Sequence, residues 1–232
     1  MRTSLPRRIV AEFTGTLLLL AAVVGSGIMG ERLAGGNVAI ALLANTVATG
    51  AALIALILSF GPISGAHLNP AVTLTDAWLG GIAWRETPSY IMAQITGAFA
   101  GVGVAHLMFG LTVYTVSTRV RSGTAQMFSE FVATFGLMVV ILGCARTRPS
   151  TTPFAVGAYI TAAYWFTAST SFANPAVTVA RSLTNTFAGI RPGDVSGFVT
   201  AELAGAFCAT LLFGWMTHVA RIDPQTKHDI GM

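Results

Sequence analysis

"SGAHLNPAVTLTDAW" (Ser64–Trp78) and "STSFANPAVTVARSL" (Ser169–Leu183) share the pentapeptide NPAVT, their asparagines standing 105 positions apart. An asparagine amide is costly in hydrocarbon unless hydrogen-bonded, and proline breaks a helix it falls inside. Both points matter because the surrounding chain is apolar. Of 232 residues, 53% are hydrophobic and 9% charged, and the mean hydropathy is +0.70. Soluble domains carry about a quarter charged residues, so this chain cannot clothe a water-facing surface and belongs in a membrane. Runs such as "LLLLAAVVGSGIMG" (Leu17–Gly30) and "VATGAALIALILSF" (Val47–Phe60) lack the alternation of a membrane barrel strand. The fold class read from the sequence is an all-α membrane protein.

Six apolar stretches approach the roughly 20 residues that cross a bilayer as a helix: Ile9–Met29, Val38–Phe60, Glu86–Leu107, Gln126–Ala145, Phe154–Ser169 and Val195–Val219. The leading "MRTSLPRR" resembles a signal peptide, but its apolar stretch runs on to Met29 without a cleavage site, so it is read as the first span. Arg2, Arg7, Arg8, Arg85, Arg146, Arg148, Arg221 and Lys227 then fall on one side of the membrane, and Arg32, Arg119, Arg121, Arg181 and Arg191 on the other. The excess places both termini in the cytoplasm, in the inner membrane of a cell. A net charge of +4, without a dense Arg/Lys patch, gives no nucleic-acid surface. Cys144 and Cys208 both lie in apolar runs and are read as small core side chains in preference to a disulfide.

The chain also repeats itself. "AEFTGT" (Ala11–Thr16) opens the first span and "SEFVAT" (Ser129–Thr134) the fourth; "AQITGAFAG" (Ala93–Gly101) in the third matches "AELAGAFCA" (Ala201–Ala209) in the sixth. The halves run approximately over 1–115 and 120–232 within one channel domain. Three spans per half is an odd number, so the second half enters from the opposite side, giving an inverted repeat. Each NPAVT then starts a short helix, Ala71–Trp78 or Ala176–Leu183, with Pro70 or Pro175 in the first turn and Asn69 or Asn174 as cap. Dipping in from opposite faces, the two N-termini meet near the midplane, each with partial positive charge. The preceding loops, "SGAHL" and "STSFA", are expected to run extended with carbonyls lining a path.

With paired NPA motifs (Asn69-Pro70-Ala71 and Asn174-Pro175-Ala176), six spans and "SGAHLNPAVT", nearly the whole chain resembles the aquaporin, or major intrinsic protein, family. A lone NPA would mean little; the pair in this frame is specific. The resemblance implies six transmembrane helices plus two half-helices, a homotetramer with one pore per subunit, and passive single-file flow of water or small uncharged solutes past Asn69 and Asn174, with lipid around it and no cofactor or metal. It further implies that Glu12 and Glu130 brace the NPA loops, in preference to carrying protons, and that His67, in the family's HxNPA pattern, offers the pore a carbonyl or ring contact. His106 is read as interfacial, and Gly97, Gly101 and Gly205 as close helix crossings.

The chain departs from the family pattern after the second NPA, where most relatives have arginine and this chain has Val177. Counting back from Asn174 and Asn69 puts Ser171, Ala162 and Thr49 at the other constriction positions. Without a charge or ring among Thr49, Ala162, Ser171 and Val177, the expected filter is wide and weakly polar. Such a filter suits glycerol-like polyols and metalloid acids such as un-ionised arsenous acid, besides water, and "FANPAVTVAR" looks like a bacterial subgroup associated with arsenic resistance. Arg181, four residues beyond Val177, has two readings: a charge at the outer vestibule, or a side chain reaching lipid headgroups or Asp194. Alternatives weighed are a strict water channel and a secondary active transporter, the latter disfavoured because no ion-coupling carboxylate lies beside the broken helices. An intramembrane enzyme lacks its motifs: there is no HExxH, paired Asp or GxSG. A junction protein would need long adhesive loops, and there are none.

Overall fold

The computed structural model describes residues 3–217. Over these it is helical: α1 (Leu5–Leu33), α2 (Val38–Ser64), α3 (Pro70–Trp78), α4 (Thr87–Met108), α5 (Thr124–Thr147), α6 (Thr152–Phe166), α7 (Pro175–Ala180) and α8 (Pro192–Met216). Each half has the order long, long, short, long, although α6 is short for its place. Five helices, α1, α2, α4, α5 and α8, are long and apolar enough to cross a membrane. The fifth expected span, Phe154–Ser169, is displaced: α6 has 15 residues, about 22 Å at 1.5 Å each, and stops at Phe166. The expected end of the last span at Val219, and Arg2, Arg221 and Lys227, lie outside the described residues.

The short helices differ as well. α3 has 9 residues and starts on Pro70 itself. α7 has 6, because after Ala180 the chain tightens into a 3₁₀ turn over Arg181–Leu183, where an α-helix to Leu183 was expected. Proline suits both starts, since its missing N–H falls where a helix has no acceptor to offer.

Packing follows the sequence repeat. α1 lies against α2 and α4, α5 lies against α6 and α8, and the halves join where α2 meets α6 and α3 meets α7. The closest crossings use the glycines of the repeated motif. A Cβ on Gly97 would strike the backbone carbonyl of Phe13, and one on Gly205 that of Phe131; Phe13 follows Glu12 and Phe131 follows Glu130. The glycines therefore bring the two acids close to the centre. The outer surface is apolar, with Phe128, Met108 and Trp215 exposed, as lipid contact requires. His106 is not interfacial. It is buried, its Nδ1–H donating to the Thr112 carbonyl at 2.7 Å and its Nε2 pairing with the Thr184 hydroxyl at 2.7 Å.

If these crossings set the frame, Gly97→Val and Gly205→Val should each destabilise the protein by about 1–3 kcal/mol through overpacking. Gly214→Val, whose Cβ meets nothing within 4 Å, should stay within about 0.5 kcal/mol. Unfolding curves in detergent measure all three.

Candidate functional site

The loops ahead of α3 and α7 are built alike, and not as simple extended chain. In the first, Gly65, Ala66 and Leu68 have φ of 90°, 47° and 49°; in the second, Thr170, Ser171 and Ala173 have 64°, 49° and 49°. These are the same three offsets before each asparagine. Left-handed backbone at non-glycine residues costs of order 1–3 kcal/mol each and persists only where surroundings impose it.

Here the surroundings are hydroxyls and carboxylates behind the loop. The Ser64 hydroxyl oxygen accepts from Ala66 N–H at 3.1 Å, and that of Ser169 from Ser171 N–H at 3.3 Å. Glu12 accepts from His67 N–H at 3.0 Å and Leu68 N–H at 2.7 Å; Glu130 accepts from Phe172 N–H at 2.9 Å and Ala173 N–H at 2.7 Å. With the amides held from behind, the carbonyls of Gly65, Ala66, His67, Ser171 and Phe172 accept no hydrogen bond from the described residues. Glu12 and Glu130 thus each hold two consecutive amides of the loop ahead of a short helix.

At the loop ends each asparagine acts in two directions. The Oδ1 of Asn69 accepts from Ala71 N–H at 2.9 Å, and that of Asn174 from Ala176 N–H at 3.1 Å. The amide nitrogens cross over: Asn69 Nδ2 donates to the Ala173 carbonyl and Asn174 Nδ2 to the Leu68 carbonyl, both at 2.8 Å. The two helix N-termini thus meet head to head. A primary amide carries two N–H donors, so one remains on each asparagine.

Both asparagines line a single cavity of about 500 Å³. It runs from Arg8, Asp76 and Gly81, past the two loops, to Thr49, Ser171 and Val177. The wall facing the loops is apolar, formed by Leu19, Val23, Leu53, Ile57, Ile141 and Ile160 among others. His67 also lines it, with Nδ1 3.1 Å from the Thr73 hydroxyl, Nε2 3.6 Å from Asp76 Oδ2, and its ring against Tyr90.

Two sequence expectations fail here. Ala162 is exposed on the outside of α6 and does not reach the cavity. The α6 residues that do are Thr152, Val156, Ile160 and Tyr164, a strict i, i+4 stripe; Ala162 sits about 200° around the helix from Ile160 at 3.6 residues per turn. Counting back from the motif misplaced the register. Tyr164 is the residue beside Thr49, its hydroxyl donating to Thr49 Oγ1 at 3.3 Å, so a ring stands where none was expected. Ser171 Oγ nearby is buried without a partner among the described residues.

Arg181 takes neither of its expected roles. It is 2% exposed, donates Nε–H to the Ala188 carbonyl, and lies over the Phe172 ring at 3.3 Å from its centroid. Its backbone N–H still bonds to the Val177 carbonyl, but its side chain is turned to Ala188 and Phe172, and Asp194 pairs with Arg191 at 2.7 Å. Arg121, given no role from sequence, donates to the carbonyls of Gly189 at 2.8 Å and Ser169 at 3.0 Å. Burial lowers its pKa to about 10, which leaves it a cation at neutral pH. Nothing local in "TRVRSG" signals that it folds under the second loop.

Comparison with known proteins bears on this geometry. The family model described as "Major intrinsic protein" matches residues 1–171. The chain is 57% identical to an aquaglyceroporin, AqpS, of Rhizobium meliloti (strain 1021), over 94% of this chain and 93% of that one. It is 32% identical to a probable aquaporin, NIP7-1, of Arabidopsis thaliana, over 90% and 76% respectively. The X-ray structure of the aquaglyceroporin from Plasmodium falciparum superposes with a TM-score of 0.71 at 21% identity, covering 90% of this chain and 96% of that one, a likeness of fold.

The register of α6 is directly testable by thiol labelling on a Cys144→Ser/Cys208→Ser background. A water-soluble methanethiosulfonate should modify Tyr164→Cys at least about tenfold faster than Ala162→Cys, because a thiol facing lipid stays un-ionised. Equal rates would return Ala162 to the cavity.

Proposed function

The chain belongs to the major intrinsic protein family, and on that premise we propose that it is a passive transmembrane channel for small uncharged solutes, glycerol-like polyols and un-ionised metalloid acids such as arsenous acid, together with water. The observation that carries this reading is a cavity with a polar ladder on one side, an apolar wall on the other, and no charged side chain at its Val177 end. A polyol hydroxyl donates in turn to the carbonyls of His67, Ala66 and Gly65 on one arm and of Phe172 and Ser171 on the other. Its carbon chain slides along the apolar wall. At the centre the free N–H of Asn69 and of Asn174 both point at one passing oxygen, which then accepts twice and cannot relay a proton inward. The two opposed helix N-termini add positive potential that turns cations away.

Thr49, Tyr164, Ser171 and Val177 form the constriction in this reading. Compared with the sequence expectation it is narrower by one ring and richer by one hydroxyl, yet still uncharged. Those hydroxyls can trade hydrogen bonds with glycerol or arsenous acid as either strips its water. Val177 leaves open the space that an arginine would fill. A strict water channel would have little use for the continuous apolar wall. The protein sits in the inner membrane as a homotetramer, both termini cytoplasmic, so the Arg8–Asp76 end opens inward.

Light scattering on proteoliposomes tests this. Glycerol, urea and arsenite should all enter faster than through lipid alone. Val177→Arg should cut glycerol and arsenite flux about tenfold, equivalent to roughly 1.4 kcal/mol of added barrier, and water flux by much less. Unchanged solute rates in Val177→Arg would remove Val177 from the constriction.

A further inference from the structure

The two halves differ around their bracing acids in two ways: the Ser64 hydroxyl donates to Glu12 Oε1 at 2.6 Å, with no bond from Ser169 to Glu130 among the described residues, and the residue reaching in from the last helix of each half is not the same. In the first half, Gln94 Nε2 donates to Glu12 Oε2 at 2.8 Å and to the Thr73 hydroxyl oxygen at 2.9 Å. The matching residue of the second half, in "AELAGAF" (Ala201–Phe207), is Glu202. Its Oε1 accepts from Asn174 N–H at 3.2 Å and from the Thr178 hydroxyl at 2.6 Å, and its Oε2 is buried with no partner among the described residues. Glu130 and Glu202 are both 0% exposed. The consecutive amides of Phe172, Ala173 and Asn174 end on these two carboxyl groups, so the groups lie side by side.

Charged groups around the pair do not separate the two acids. From the loop side come Arg121 and Arg181, but Arg121 donates to backbone carbonyls and the Thr170 hydroxyl and Arg181 to the Ala188 carbonyl. Neither makes an ion pair with Glu130 or Glu202 among the described residues. On α6, Tyr164 gives its hydroxyl to Thr49. α3 meets α8 through Thr75 and Thr210, while its Asp76 is turned to His67. Two adjoining carboxyl groups in such a place cannot both ionise, because like charges at that range in a dry site repel too strongly.

We propose that Glu130 and Glu202 hold one proton between them, carried on Glu202 Oε2 and donated to Glu130, and that this makes Glu202 a positioning residue for the second half of the pore. The protonated carboxyl does in α8 what the Gln94 amide does in α4. It gives Glu130 its missing donor while still accepting from Asn174 N–H. Removing the proton would set two negative charges directly behind Ala173 and Asn174, whose carbonyl and amide form the centre of the pore. A glutamine at 202 would do the same work without a proton to lose.

Infrared spectroscopy of the reconstituted full chain, with no solute present, tests the proton. The wild type at neutral pH should show the carbonyl stretch of an un-ionised carboxylic acid, and Glu202→Gln should lack it. In parallel, glycerol flux through Glu202→Leu should fall about tenfold, since Asn174 N–H and the Thr178 hydroxyl lose their acceptor, and Glu202→Gln should restore it. Where a rise in pH removes the band, wild-type flux should fall in step with it, whereas the Glu202→Gln profile stays flat over the same range. A wild type without the band, or a Glu202→Gln protein that keeps it, overturns the proposal whether or not the leucine variant folds. The flux arm rests on the channel reading; if that reading fails, wild-type glycerol flux is absent while the band remains.

Discussion

Everything at the centre of this protein hangs on two amide hydrogen bonds that cross between the halves, Asn69 Nδ2 to the Ala173 carbonyl and Asn174 Nδ2 to the Leu68 carbonyl. Each asparagine caps its own helix with one atom and ties down the opposite loop with another. Neither half-helix can shift without dragging the other's carbonyl row. The left-handed residues before each asparagine are tolerable only because Glu12 and Glu130 grip the intervening amides. Those acids are in turn brought to the centre by α1 and α5, which lie tight against Gly97 and Gly205. The chain of cause runs from small residues at two helix crossings, to buried acids, to strained loops, to the crossed amides, and so to a polar ladder in an apolar tube.

Repeat symmetry explains most of this, and its exceptions set the two ends of the cavity apart. Ala66 faces Ser171, His67 faces Phe172, and Gln94 faces Glu202 as paired positions of the two halves. The first pair puts a free hydroxyl only at the Val177 end. The second gives an imidazole to one mouth and an aromatic ring, clasped by Arg121 and Arg181, to the other. The third changes how the loop is held, not what it presents.

Much of the fold was legible because it is written in spacing. The doubled NPAVT, the doubled Glu-Phe and the doubled small-residue motif carry the helix order and the caps, while the bracing role of Glu12 and Glu130 comes from the family resemblance. What failed did so for a local reason. Ala162 was placed by counting along the chain, a procedure that assumes helix end and loop length, and α6 stops at Phe166. The stripe Thr152, Val156, Ile160, Tyr164 was in the sequence, but α6 is apolar all round, so periodicity alone could not say which stripe faced inward. Arg181 keeps its backbone place one turn beyond Val177, but its side chain is drawn to Ala188 and Phe172, partners brought to it by the surrounding loops. Arg121 depends on how a loop folds across 48 positions to reach Ser169, and no short-range pattern encodes that. The pairing of Glu130 with Glu202 likewise needs two helices in register.

The crossed amides can be isolated by a double-mutant cycle with serine, which can still cap a helix but is too short to reach the opposite loop. Unfolding free energies of Asn69→Ser, Asn174→Ser and the double variant would be measured in detergent. If the two bonds form one joint, each single change costs about 1–2 kcal/mol, and the double change falls short of their sum by more than about 0.5 kcal/mol. Costs that add to within that margin would mean the halves are held independently, and would contradict the account.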